Sequence, residues 1–211
     1  MTETTTIQTP PCPTHHEAQR LRALHSYEIL DTPPEPEFDA ITTLIAKICQ
    51  VPIALVSLVD ENRQWFKSKC GLAALDSTGR DVSLCSHAIE QASILVINDT
   101  LLDRRFRDNP LVVGEPYLRF YAGAPLIDTN RVALGTLCIA DHCPRALTVV
   151  QWSNLGRLAI SVTNLIMARK AMSTHDAVES GDLSYENGPG MASSIGSFRD
   201  GKILSQRGDQ I

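Results

Sequence analysis

Apolar positions in this chain recur with two spacings, and the change from one to the other predicts its elements. From His15 to Leu30 the spacing is helical, with Leu21, Leu24 and a further apolar position at Ile29 or Leu30. Asp31-Thr32-Pro33-Pro34 stops that helix, because a residue before proline is pushed out of the helical region. Phe38, Ile41, Leu44, Ile45 and Ile48 then fall at helical spacing behind an acidic, proline-containing start, which predicts a second amphipathic helix. Residues 51–59 are nearly all apolar, as in a central strand covered on both faces. The turn Asp60-Glu61-Asn62 leads into a strand over Arg63–Ser68, where Trp65 and Phe66 point to opposite faces. Residues 71–81 are small and polar and read as a loop.

Further on, Ser83 is placed to cap a short helix through Ala92 that carries Cys85, His87 and Ile89. Ile94–Ile97 reads as a third strand, ended by Asn98-Asp99-Thr100. Leu101–Phe106 predicts a helical turn lying across the sheet as a lid, and Asn109-Pro110 and Glu115-Pro116 bracket another loop. Two strands follow, Phe120–Ile127 and Val132–Ala140, joined by the polar turn Asp128-Thr129-Asn130-Arg131. Their centres hold Ala122, Gly123, Ala124, Gly135 and Thr136. Glycine inside a strand often marks the close approach of another group, so this hairpin is expected to form either a pocket floor or a tight helix seat. Pro125, without an N–H, is expected at a bulge or an unpaired position. Leu147–Met172 predicts one long helix with Leu155, Leu158, Val162, Leu165 and Met172 at heptad a/d positions and Arg169 interrupting the seam. That stripe fits packing beneath the sheet and dimerisation as a helical bundle, and both hold if the helix outruns the domain. The order of elements gives an α+β fold with an antiparallel sheet.

Composition sets the ends and the class. Residues 1–14 are rich in Thr and Pro, and 173–211 in Ser, Gly and Asp, so both are expected to be disordered tails around one domain over 15–172. An apolar content of 43% supplies a real core. A net charge of −5 with no dense Lys/Arg face argues against a nucleic-acid surface. No apolar run approaches the ~20 residues of a membrane-spanning helix, and MTETTTIQTPPCP lacks the pattern of a secretory leader. Six cysteines without framework spacing fit a reduced, cytoplasmic setting.

Four stretches then carry a family resemblance: RLRALHSYEILDTPPEPEFDAIT, VPIALVSLVDENRQWFKSKCGL, VSLCSHAI, and the hairpin FYAGAPL followed by ALGTLCIAD. Together, over roughly residues 20–172, the chain resembles GAF domains, the small sensory fold related to PAS. The likeness is greatest to the subgroup at the front of bacterial histidine kinases and diguanylate cyclases. The resemblance implies a five- or six-stranded antiparallel sheet, with helices on one face and a ligand cavity on the other.

The expected ligand-contacting residues are Phe66, Cys85, His87, Asp99, Phe106, Tyr121 and Thr136, with Asp99 and Phe106 on the lid and Tyr121 and Thr136 on the hairpin. A thiolate at Cys85 beside an imidazole at His87 would suit nucleophilic or redox chemistry. Side chains two apart on a helix diverge, however, so a half-buried Cys and a His satisfied by a backbone carbonyl fits the spacing better. Bilin-binding GAF domains usually show Cys followed directly by His among many aromatics; here a residue intervenes and aromatics are few, which argues against a covalent bilin. Cys138, His142 and Cys143 lack the paired C-x2-4-C spacing of a zinc site. Asn98, Asp99, Thr100, Asp103, Arg104 and Arg105 could orient a small polar ligand or simply cap and solvate the turn. The NKFDE signature of cyclic-nucleotide-binding GAF domains is not recognisable as a whole. No G-x-S-x-G, P-loop or HExxH is present, nor a kinase core or cyclase signature.

The expected function is therefore a stand-alone sensory GAF domain without enzymatic activity. It would bind an unknown small molecule or report redox state, and form a homodimer through helix 147–172. A histidine kinase or cyclase is its candidate partner, with no nucleic acid and no membrane. Two alternatives stand beside it. One is a degenerate GAF used for protein contacts, its pocket filled by its own side chains. The other is a cysteine-dependent enzyme of the free methionine-(R)-sulfoxide reductase type, although the cysteines here do not follow that family's recognisable pattern.

Overall fold

The computed structural model describes residues 15–72 and 75–179. Helices α1 (His15–Ser26) and α2 (Pro36–Cys49) precede strands β1 (Ile53–Val59), β2 (Arg63–Cys70) and β3 (Ser77–Gly79). After them come α3 (Leu84–Ala88), β4 (Leu95–Ile97), α4 (Pro110–Val113), β5 (Phe120–Ile127), β6 (Ala133–Asp141) and α5 (Val149–Glu179). α2 begins on Pro36, where a missing N–H leaves no bond unmade, and closes on Gln50 in the left-handed region at φ 53°. No helix among the described residues is long and apolar enough to cross a membrane.

The strands form one antiparallel sheet in the order β3-β2-β1-β6-β5-β4. β1 lies centrally and is buried along its whole length, as its unbroken apolar run requires. Alternation splits the apolar side chains between two cores. Val56, Leu58, Trp65, Ala122, Ala124, Leu137 and Ile139 meet Phe38 and Ile45 of α2 and Leu155, Ala159, Val162 and Ile166 of α5. On the opposite face, Leu55, Phe66, Tyr121 and Cys138 meet Leu84 and Cys85 of α3, together with Phe106 and Val112. Trp65 and Phe66 thus part to opposite faces as expected.

Several boundaries differ from the sequence reading. β3 lies inside the expected loop 71–81, pairing Ser77–Gly79 with Arg63–Trp65. Its residues, Ser77-Thr78-Gly79, carry no apolar alternation, so nothing local marked them. α3 ends at Ala88 rather than Ala92, though Ser83 does cap it by accepting the Ser86 N–H. Leu101–Phe106 forms successive turns where a helical turn was expected, and α4 occupies the expected loop, capped by Asn109. Pro125 lies in register with Thr136, and the ladder shifts one step later, between Leu126 and Ile127. Because β4 pairs only with Tyr121–Gly123, Pro125 has a strand neighbour on one side alone.

α5 runs past Met172 to Glu179, so residues 173–179 are helical, where a tail was expected; 1–14 and 180–211 lie outside the described residues. The buried seam of α5 runs Leu155, Ala159, Val162, Ile166, while Leu158 and Leu165 are half-buried and Met172 is exposed. Small Ala122 and Ala124 beneath Ala159 make this face of the hairpin a helix seat. Arg169 leaves the apolar seam to make an ion pair with Glu35 at 3.0 Å. Glu35 also accepts from Lys67 at 2.7 Å, whose fully buried ammonium donates in addition to Thr32 Oγ1 and the Pro33 carbonyl at 2.8 and 2.7 Å. Burial raises the Glu35 carboxyl, but hydrogen bonds and charge from Lys67 and Arg169 more than reverse this and hold it below the usual range.

Candidate functional site

The sheet face away from α2 and α5 closes over a chamber. Its floor comes from β1, β5 and β6 (Ile53, Leu55, Tyr121, Cys138, Ala140), one side from Phe66 and Thr78, and its roof from Leu84 and Cys85 of α3 with Leu111 and Leu118. Its free volume is about 40 Å³. A water needs roughly 10–15 Å³ by such a measure, whereas organic ligands occupy cavities of about 300–1,000 Å³. In this conformation the chamber has room for a few water-sized molecules and for no nucleotide. Larger grooves open elsewhere on the surface, near Asp31 and Arg63 and between Glu17, Arg20 and Arg80, but those charges are already paired with one another.

The chamber has two sulfurs in its lining. Cys85 descends from α3 and Cys138 rises from mid-β6, and their Sγ atoms stand 3.6 Å apart. The Tyr121 hydroxyl donates to Cys85 Sγ at 3.2 Å. It reaches there because Gly123, on the same face two residues along β5, leaves room: a Cβ on Gly123 would lie 2.2 Å from the tyrosine oxygen. Gly135 answers a different need, since a Cβ there would lie 2.0 Å from the Ser57 carbonyl oxygen of neighbouring β1. One glycine serves the chamber and the other the close pairing of strands. Opposite each other on β1 and β6, Ser57 and Thr136 are wholly buried, and their hydroxyls lack hydrogen-bond partners among the described residues. Thr78 Oγ1, in the chamber wall, is likewise unpaired.

These polar groups bear on the ionisation of Cys85. Burial alone would raise its thiol, but Cys138, Thr136, Tyr121 and Ser57 around the sulfur outweigh this and bring it down to about 7. Cys138 is pushed well up, first by its hydrogen bond to Cys85 and then by burial, so one negative charge is shared by the pair and rests on Cys85. Tyr121 is raised by burial and by the two sulfurs, and stays a donor.

Of the residues expected to meet a ligand, Phe66, Cys85 and Tyr121 line the chamber. Thr136 lies beside Cys85, and Phe106 is buried in the same apolar cluster. His87 points outward, its ring edge-on to Phe106 at a centroid distance of 4.9 Å, and so does not meet Cys85. Asp99 is held bidentately by Arg119 at 3.0 and 2.7 Å, outside the chamber lining. Arg105 pairs with Asp103 in the same manner. Cys138 was weighed with His142 and Cys143 as a metal ligand, yet it is buried in the sheet while Cys143 is exposed and His142 Nδ1 contacts the Pro116 carbonyl at 2.7 Å. Alternation along β6, which puts Thr136, Cys138 and Ala140 on one face, was the signal that could have assigned Cys138 to the chamber.

The sequence matches the GAF domain family model over residues 33–163. The chain belongs to the GAF domain family. A cyclic di-GMP phosphodiesterase of Pseudomonas aeruginosa is 41% identical to it over 139 residues, 66% of this chain. The match spans 23% of that relative's length, so this chain corresponds to under a quarter of it. Among solved structures, the GAF domain of an Acinetobacter phosphoenolpyruvate-protein phosphotransferase superposes with a TM-score of 0.54 at 18% identity, covering 81% of this chain and 99% of that one. Free methionine-R-sulfoxide reductase from Neisseria meningitidis superposes with a TM-score of 0.53 at 12% identity, covering 74% of this chain and 92% of that one. Identities this low show a common GAF fold and carry no activity across.

Proposed function

We propose that this GAF domain is a sensory module in which the sulfur-lined chamber receives the signal and α5 passes it on. The observation that carries this reading is the shared use of two strands. Tyr121, Gly123 and Cys138 face the chamber, while Ala122, Ala124, Leu137 and Ile139 on the same β5 and β6 face α5. A change that displaces these strands on one side is therefore felt by the helix on the other, provided the signal favours one arrangement over the other in free energy.

Output runs through a homodimer formed by the solvent side of α5. Trp152 and Ile160 are 48% and 64% exposed and, with Gly156, border an apolar groove completed by Ile94, Pro125 and Ile127. Cutting the helix at Ile160 would remove Val162 and Ile166 from the core, so Ile160→Glu is the cleaner test: sedimentation should show the dimer lost with the fold intact. The phosphodiesterase relative supports an enzyme of cyclic di-GMP turnover as the regulated output, with a histidine kinase as the other candidate, in the same chain or a partner.

The input is tested by thermal shift against small metabolites with the intact chain. A ligand at one hundred times its dissociation constant adds about 2.7 kcal/mol to stability. Ala140→Leu, which fills the chamber, should abolish the shift. A second reading is favoured by the small chamber volume itself: a GAF domain packed shut that serves only protein contacts. It wins if neither small molecules nor oxidants alter the melting temperature, while Ala140→Leu leaves output unchanged.

A further inference from the structure

We infer that Cys85 and Cys138 are a peroxide-responsive dithiol that closes to a disulfide inside the chamber. This deepens the reading of the chamber as the input site and rests on it for its regulatory consequence, though the chemistry itself stands on the geometry alone. Three observations converge. Two thiols from different elements, α3 and β6, already touch at 3.6 Å and must approach by about 1.5 Å to reach a disulfide bond length. The space beside them, about 40 Å³, suits a molecule scarcely larger than water. Finally, Ser57 and Thr136 place buried hydroxyls beside the Cys85 sulfur, positioned to donate to it and with no other hydrogen-bond partner among the described residues. An orphaned buried hydroxyl is costly. A thiolate or a sulfur-bound oxygen at Cys85 would give both donors an acceptor.

The step balances with hydrogen peroxide as the oxidant. The Cys85 thiolate attacks one peroxide oxygen, an S–O bond forms, the O–O bond breaks, and hydroxide leaves and takes up the proton given up by Cys85. Sulfur is oxidised to the sulfenic acid while peroxide oxygen is reduced. Cys138 then attacks that sulfur: the S–S bond forms, the S–O bond breaks, and the Cys138 proton departs with the hydroxyl as water. Overall, two thiols and one peroxide give one disulfide and two waters. Tyr121, already donating to Cys85, loses its sulfur acceptor position as the bond closes, and its displacement moves β5 beneath α5.

The test treats the full chain with a small excess of hydrogen peroxide, followed by thiol counting in denaturant and non-reducing peptide mapping. Expected is a loss of two of the six thiols, recovered with dithiothreitol, and a Cys85–Cys138 linked peptide. Its rate should rise with pH through about 7, where Cys85 ionises. In Cys138→Ser, a sulfenic acid should persist at Cys85 and be captured by a dimedone-type reagent; Cys85→Ser should give neither product. Exposed Cys143 is the internal standard. Oxidation confined to Cys143, or a linked pair other than Cys85–Cys138, overturns the inference. That result leaves the broader sensory reading to the metabolite screen, whereas a mapped disulfide without change in the α5 dimer would retain the chemistry and refute its role as input.

Discussion

Replacing Gly123 with alanine tests how the chamber is built. The added Cβ would stand 2.2 Å from the Tyr121 oxygen and 2.8 Å from ring carbon Cζ, so the ring must shift. Tyr121 is 3% exposed and packed among Leu55, Phe66 and Cys138, which leaves no free direction for a whole ring. Overpacking of this kind costs about 1–3 kcal/mol, and losing the hydrogen bond to Cys85 adds about 0.5–1.5 kcal/mol. A total of about 1.5–4.5 kcal/mol corresponds to a melting temperature lower by about 3–18 °C for a chain of this size. With Tyr121→Leu the obstacle disappears, and Gly123→Ala in that background should be neutral or stabilising by up to about 1 kcal/mol, because strand glycine is itself unfavourable. Urea unfolding followed by tryptophan fluorescence, on the wild type, both single variants and the double variant, measures the coupling. An equal cost of Gly123→Ala in both backgrounds would refute the argument that this glycine exists to admit the tyrosine.

Other expectations follow from paired charges and strand contacts. Glu35→Ala strips the paired carboxylate from the buried Lys67 ammonium and releases Arg169, so unfolding free energy should fall by about 3–5 kcal/mol; Lys67→Met, which removes the buried charge itself, should cost less. Gly135→Ala drives a Cβ against the Ser57 carbonyl rather than a side chain, and its destabilisation should exceed that of Gly123→Ala and persist in the Tyr121→Leu background. Glu17, desolvated but held by Arg20 and Arg80, has its carboxyl lowered to about 2. Its stabilisation is complete above about pH 4.5 and is lost as pH falls through about 2. The stability gap between wild type and Glu17→Gln should narrow over that acid window, and a gap independent of pH would sink the assignment.

Much of the fold was legible because periodicity is a strong signal. The unbroken apolar run after Val51 identified the central strand, and adjacent Trp65 and Phe66 divided between the two cores as alternation requires. β3 was not legible, since Ser77-Thr78-Gly79 is held by the edge of β2 and carries no apolar side chain. The heptad reading of α5 placed Leu155 and Val162 on the buried seam, where they lie; the sheet also takes Ala159 and Ile166, which leaves Leu158 and Leu165 half-buried at the edge of that core. For the chamber, Cys85 and Tyr121 stood out by residue type, whereas Cys138 was weighed only as a metal ligand beside His142 and Cys143, set aside there, and not placed in the chamber. Asp99 looked available until the fold brought Arg119 to it, and no local pattern encodes a partner twenty positions away.

The ion pair between Glu35 and Arg169 gives α5 a mechanical character. Up to that residue the helix is seated on the sheet and clamped; Lys170 then bonds Ser26 Oγ at 3.1 Å and lies over the Tyr27 ring, and the helix continues to Glu179. At 1.5 Å per residue the nine residues beyond Lys170 span about 14 Å. A tilt of about 5° at the clamp would carry the far end by about 1.2 Å, so a movement of the seated part of α5 reaches Glu179 as a change of direction. Cutting the clamp would free the beam at its root, and the same push would then be spent in bending instead of being delivered.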